Sequence, residues 1–320
     1  MFHQNLKKLF NEAISEVSAN ISDDALNPER DFSRNRKIPA HLLISFLVSQ
    51  GAASTKCEVL DFFGLSADAP SASALNQQRS KLKSEALESL FTKFNTAFHA
   101  SEYNRTSERY RFLAADGTTV SFFSHPRFSS DDYFVSNGHS AKGFYSMHIN
   151  AFYDLNENLY TDALIQPVHA KDEFRAFSSI VDQHEVPSDV KHVYIGDRRY
   201  CSYNNMARVL EQEQYFLFRT KDITSKGLVG KFDYPNTDTF DVLVPVTLAR
   251  SHSKKIPVKP DYYRCVVDTA ASFDFIAHGS MDTYDLTFRV VRIHLSDDSY
   301  ECIVTNLPYQ TGNMGETVGL

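Results

Sequence analysis

Between residues 110 and 219 this sequence reads as three strands and then helix, strand, helix, strand, and that order limits the fold more than any other feature. Tyr110-Arg-Phe-Leu-Ala-Ala-Asp116 is an apolar run that closes on an acid. Phe144–Tyr153 alternates well enough for a second strand, and Leu159–Gln166 supplies a third. Phe174–His184 has helical spacing, with Lys171-Asp172-Glu173 as a capped start. Lys191-His-Val-Tyr-Ile-Gly-Asp197 is a fourth strand and again closes on an acid. Ser202–Gln212 reads as helix and Tyr215–Arg219 as a fifth strand.

That succession is the order of an RNase H-like α/β core, a mixed sheet with helices on its faces, and it is placed at residues 106–219. The flanks differ in character. Residues 1–105 read as helical. An apolar segment runs from Pro39 to Val48, Thr55 and Glu58 have capping-box spacing, and Gly64 is suited to end that short helix. Ser71 or Ser73 starts the next helix, which leads into Gln77, Gln78, Arg79, Lys81 and Lys83, and Ser84 begins a further one. Two short helices across a tight turn, the second basic and rich in amides, suit a helix-turn-helix entering a DNA groove. A helical bundle with a solvated charged face fits the same residues. Residues 220–308 are β-rich, read as an insertion and a return strand, with runs at 242–246, 262–267, 286–290 and 300–304. Residues 309–320 carry no period and are expected to be a disordered tail.

The whole chain has 320 residues and a formal charge of −7, which weighs against a nucleic-acid partner unless a basic face is local. It has no apolar run long enough for a membrane span, and its first residues lack the apolar stretch of a secretory signal, so none is expected. Cys57, Cys201, Cys265 and Cys302 are scattered and form no metal-binding pair, so a cytoplasmic location is expected.

Asp116 and Asp197 lie 81 positions apart, each at the end of an apolar strand. Neighbouring strands would bring both carboxylates to one end of the sheet. Convergent carboxylates with open positions suit Mg²⁺ or Mn²⁺, hard ions that prefer oxygen ligands. Each acid also has a plain reading. Asp116-Gly117 is a hairpin-turn signal, and Asp197 beside Arg198 and Arg199 fits a helix-entry acid with local charge pairs. His125, His139, His148 and His192 have no metal-site spacing, and no nucleotide-binding or serine-nucleophile motif is present.

Several segments together resemble the IS-four family of DDE transposases. Ser71-Ala-Ser-Ala-Leu-Asn-Gln-Gln-Arg-Ser-Lys-Leu is similar to the family's N-terminal region. Leu113-Ala-Ala-Asp116-Gly-Thr resembles the strand with the first catalytic Asp, and His148-Ile-Asn-Ala-Phe-Tyr-Asp-Leu155 the strand and turn after it. Tyr194-Ile-Gly-Asp197-Arg-Arg-Tyr200 resembles the second-Asp motif, usually D-R-G-Y. Cys302-Ile-Val-Thr-Asn-Leu-Pro308 resembles the strand before the last catalytic helix.

The resemblance implies that Asp116 and Asp197 are catalytic metal ligands for Mg²⁺ or Mn²⁺. It also implies that the partner is double-stranded DNA at the ends of a mobile element, with a homodimer left open; the helix-turn-helix reading adds Gln78, Arg79, Lys81 and Lys83 as DNA contacts, and Arg198 and Arg199 are expected at phosphates. Two departures stand out. Arg199 replaces the usual Gly, and the family's closing helix, Y-(2)-R-(3)-E-(6)-K, has no counterpart after Pro308. Gly312 and Gly315 disfavour a helix there, so Glu316 is not expected to be the third acid. The expectation is a C-terminally truncated transposase, inactive alone. A DNA-binding remnant without catalysis and an RNase H-like nuclease remain as alternatives.

Overall fold

The computed structural model describes residues 2–34, 37–101, 110–123, 130–136, 138, 143–184, 190–267, 272–296 and 299–309. His125, His139 and Glu316 lie outside the described residues. The chain divides into two compact units, residues 1–105 and 106–320. Among the described residues no helix is long and apolar enough to cross a membrane.

The first unit is helical: α1 (Phe2–Ala19), α2 (Ala40–Ser49), α3 (Thr55–Phe62), α4 (Ala72–Arg79) and α5 (Glu85–His99). Ala13, Ile14 and Val17 of α1 pack with Ile44 of α2 and with Ala86 and Leu90 of α5. On the other side of α2, Leu43 and Phe46 pack with Val59 of α3 and Leu75 of α4. The caps follow from the sequence with one shift of register. Ser54, not Thr55, caps α3 by accepting from the Cys57 amide, and Glu58 reaches back to the amides of Gly51 and Ala53. Gly64 ends this helix with φ +74°, a conformation in which a side chain is strained. Ser71 caps α4. The tight turn expected between the two short helices is absent. Residues 63–71 connect α3 to α4, well beyond the three or four residues of a helix-turn-helix.

The second unit is built on one mixed sheet. Its strands are β1 (Tyr110–Phe123), β2 (Phe134–Val135), β3 (Phe144–Asp154), β4 (Leu159–Pro167), β5 (Lys191–Gly196), β6 (Tyr215–Thr220), β7 (Phe240–Ala249), β8 (Tyr263–Val266), β9 (Thr283–Ser296) and β10 (Ser299–Thr305). The order is β2-β3-β1-β5-β6-β10-β9-β7-β8, with β4 also paired to β3. β4, β3 and β1 are successive antiparallel neighbours, while β5 and β6 run parallel to β1. The parallel connections carry α6 (Glu173–Gln183) and α7 (Tyr203–Glu211). This is the RNase H-like arrangement. β10 then returns antiparallel beside β6, and β9 and β7 extend the same sheet.

The core lies where α6 and α7 meet the sheet. Leu113, Phe152, Tyr194, Phe216 and Phe218 from the strands pack with Phe177 and Val181 of α6 and Met206 and Val209 of α7, all buried. Asp172 caps α6 by accepting from the Arg175 amide, and Ser202 caps α7 through the Asn205 amide. Each cap satisfies a backbone donor that the helix itself leaves unpaired.

An ion pair fastens the segment after β6 to the outer strands. Asp222 receives two hydrogen bonds from Arg292 of β9, at 2.8 and 3.1 Å, and others from Cys302 and Thr224. The Arg292 hydrogen bonds, against the opposing effect of burial and helped by Cys302 and Thr224, hold the Asp222 carboxyl well below the usual carboxylate range. A depressed folded-state pKa adds stability that is complete above the unfolded carboxylate value, about 4, and is lost as pH falls toward the folded value. Asp222→Asn is therefore expected to lower the urea midpoint at neutral pH. The gap to the wild type should narrow steadily below about pH 4; a gap independent of pH would show that the carboxylate charge contributes nothing.

Candidate functional site

Asp116 is not the last residue of its strand. β1 runs on to Phe123, paired with β3 from Leu113↔Asp154 through Phe123↔Phe144. Thr118, Thr119 and Val120 are β-branched and suit a strand, and the long antiparallel ladder overrides the Asp-Gly turn signal. What ends at this level is the parallel partner. The last β1–β5 pair is Ala115↔Gly196, so Asp116 and Asp197 are the next residues on two adjacent parallel strands. Adjacent strands are about 4.8 Å apart, which puts the two aspartates side by side.

Both are exposed. One oxygen of each accepts a backbone amide hydrogen at 2.8 Å, from Gly117 for Asp116 and from Arg199 for Asp197. Among the described residues neither carboxylate takes part in an ion pair, although two arginines follow Asp197 directly. The local charge pairs allowed by the Asp-Arg-Arg sequence do not form. Arg199 instead reaches Glu173, at 3.0 Å, and Arg198 is exposed. Nor does Asp197 enter the helix, which Ser202 caps; the hydrogen bond from the Arg199 amide to Asp197 shapes the turn before it. Arg199 is not among the residues with positive φ, so the turn runs without the glycine usual in D-R-G-Y.

Behind the aspartates the packing is tight. Tyr200 is buried, and its side chain lies against Gly196, where an added Cβ would come within 2.8 Å of the Tyr200 Cβ and 3.0 Å of its ring. Burial first, and then the charges of Glu173, Asp116 and Asp197, push the Tyr200 hydroxyl pKa up. The three acids thus share the surroundings of one hydroxyl. Gly117 is equally confined, since a Cβ there would meet His148 Nε2 at 2.6 Å. His148 is buried on β3, and its Nδ1 lies 3.1 Å from the Thr119 hydroxyl. Its Nε2 lies 3.2 Å from Glu173, off the line of a hydrogen bond. Burial first, then the Lys171 charge, lowers the His148 pKa against the pull of Glu173, so the ring is neutral near pH 7.

Glu173 is the residue that the sequence reading missed. It is 8% exposed at the start of α6 and holds Lys171 at 2.7 Å and Arg199 at 3.0 Å. Burial alone would raise its pKa, but the hydrogen bond and charge of Lys171 and the charge of Arg199 outweigh it and lower it.

The residues expected at DNA fall into two groups. Arg79 and Arg198 are exposed, and among the described residues neither guanidinium is in an ion pair. The others are engaged. Gln78 is 7% exposed and accepts from Lys81 at 2.7 Å, Lys83 donates to the Asp23 carbonyl at 2.8 Å, and Arg199 is held by Glu173.

Two exposed carboxylates free of cations offer hard oxygen donors, and this donor set fits Mg²⁺ or Mn²⁺, which keep several waters as further ligands. Among the described residues no group of three or more His, Cys, Asp or Glu side chains is placed to hold a metal ion. No curated protein matches this chain. A solved structure described as the piggyBac transposase synaptic complex with hairpin DNA aligns with a TM-score of 0.47 and 11% identity, over 98% of this chain and 63% of that one. Residues 107–255, which contain both Asp116 and Asp197, match the family described as Transposase DDE domain.

Proposed function

We propose that this chain is an insertion-sequence transposase of the IS-four type that binds element-end DNA and supplies Asp116 and Asp197 as ligands for Mg²⁺ or Mn²⁺ in strand cleavage and transfer. One observation carries the reading. Within the stretch similar to transposase DDE domains, two aspartates stand side by side at the end of β5, exposed and unpaired despite neighbouring arginines. A purely structural aspartate beside Arg198 and Arg199 would be expected to neutralise one of them.

When bound, divalent ions about 3.5–4 Å apart activate the attacking oxygen and stabilise the leaving one in phosphoryl transfer. The chain's own contribution is positional. The Arg199 amide aims one oxygen of Asp197, and the Gly117 amide does the same for Asp116, leaving the second oxygen of each open. Of the basic residues expected at DNA, Arg79 and Arg198 are exposed and without ion pairs among the described residues, which leaves them open to phosphates. The described residues offer two acids, whereas the family resemblance calls for three. Metal binding without strand transfer is the expected behaviour of these residues by themselves. A DNA-binding role without catalysis is the second reading.

The test is Mn²⁺ binding, followed by the electron paramagnetic resonance of the free ion. The wild type should bind Mn²⁺, and Asp116→Asn and Asp197→Asn should each weaken binding at least about tenfold. Equal binding by all three proteins would rule out the metal site and leave the DNA-binding reading.

A further inference from the structure

Asp197 is followed by two arginines, and an arginine two residues from a carboxylate is well placed to neutralise it. A carboxylate occupied in that way is a poor metal ligand, because the cation must first be displaced. In this structure Arg199 is bonded instead to a residue from another element. Glu173 is 8% exposed and receives Arg199 Nη1 at 3.0 Å on Oε1 and 3.4 Å on Oε2. It takes Lys171 Nζ at 2.7 Å on the same oxygen. The Arg199 side chain is otherwise 65% exposed, so little besides Glu173 fixes its direction. On the far side of Asp197 the pattern repeats: Glu301 is bonded twice by Arg219 at 2.7 Å, and Arg198 adds its charge to the lowering of the Glu301 pKa.

We propose that Glu173 is a positioning residue for the aspartate pair, holding the charged ends of Arg199 and Lys171 away from Asp197 and Asp116 so that both acids stay open to a divalent cation. The inference rests on the metal reading given above. It assigns Glu173 no contact with metal or DNA. The buried position favours this role, since a carboxylate in low dielectric holds its cations more firmly than the exposed aspartates do. Losing the Glu173 charge frees one guanidinium and one ammonium beside two exposed carboxylates, and those cations then compete with Mn²⁺.

The experiment measures Mn²⁺ affinity on the whole chain, without DNA, for the wild type, Asp197→Asn, Glu173→Gln and the double variant Glu173→Gln/Arg199→Gln. Removing the charge of Glu173 is expected to weaken Mn²⁺ binding about tenfold, the lower end of what outer partners of metal ligands contribute. Removing Arg199 as well should restore a large part of the loss, because the competing cation two residues from Asp197 is gone and only Lys171 is left to compete. A role confined to fold stability would not produce that recovery. Glu173→Gln that binds like the wild type, or a double variant as weak as the single one, overturns the inference. If the single variant does not fold, the double variant still decides, since it removes the guanidinium together with the carboxylate that held it: near wild-type affinity supports the proposal and a tenfold loss overturns it. Failure of the metal reading is distinguishable, because the wild type and Asp197→Asn would then bind Mn²⁺ alike.

Discussion

Asp154→Ala is expected to destabilise the chain by about 3–5 kcal/mol, the range for removing one partner of a buried ion pair. Asp154 closes β3 and is fully buried, at 0% exposure. One oxygen is paired with Arg111 of β1, itself 13% exposed, and the other accepts the amide hydrogens of Asn156 and Glu157 at 2.9 and 3.1 Å. The carboxylate therefore fixes the turn into β4, where Asn158 takes a left-handed conformation at φ +57°. Alanine would remove a buried carboxylate that bonds Arg111 and the two turn amides, well inside a sheet. Urea denaturation measures the effect, and a loss below about 1 kcal/mol would place this pair with ordinary surface pairs. Asp116→Asn and Asp197→Asn should behave differently. Both positions are exposed and unpaired with cations, and asparagine keeps the oxygen that accepts the turn amide, so stability should change by no more than about 0.5 kcal/mol.

Phe177→Ala carries the second large effect, about 3–5 kcal/mol for truncating a fully buried phenylalanine. Phe177 is 0% exposed, and its ring centroid lies 5.4 Å from that of Phe152, 5.6 Å from Tyr200 and from Phe218, and 6.0 Å from Tyr194. It joins α6 to β3, β5 and β6 and touches the tyrosine that lies against Gly196. The cavity would open beneath the turn that carries Asp197, so Mn²⁺ affinity should fall along with the urea midpoint. Lost stability with unchanged affinity would show that the turn is supported from elsewhere.

The fold of the second unit was legible because its strands and helices change period where the elements change, from two to 3.6 residues. The site was legible in part. Asp116 and Asp197 stood out as acids closing apolar runs, yet β1 continues past Asp116. Strand ends depend on which partner stops first, and the partner here is 81 residues away. Asp154 shows the same limit. It too follows an apolar alternating run, and nothing in its neighbours tells that it is buried and paired while the other two are open. Glu173 read as a capping acid beside Asp172, since acids in a first helical turn are ordinary. Its burial and its bond to Arg199 arise only when α6 is laid beside the β5 turn. In the first unit, Gln78 looked like a surface amide on a basic helix, and only the packing of α4 on α2 turns it inward.

The two aspartates are mounted differently. Asp116 sits in an uninterrupted strand, stitched to β3 above and below it, whereas Asp197 rides on the first residue beyond β5. One works as the fixed jaw of a vice and the other as its sliding jaw. In the proposed metal site, any change in the gap between them comes from the Asp197-Arg-Arg-Tyr200 turn, because moving Asp116 would shear eleven paired residues at once. In that reading the adjustment is confined to four residues, and Tyr200, packed against Gly196, is the buried end of the turn on which it pivots.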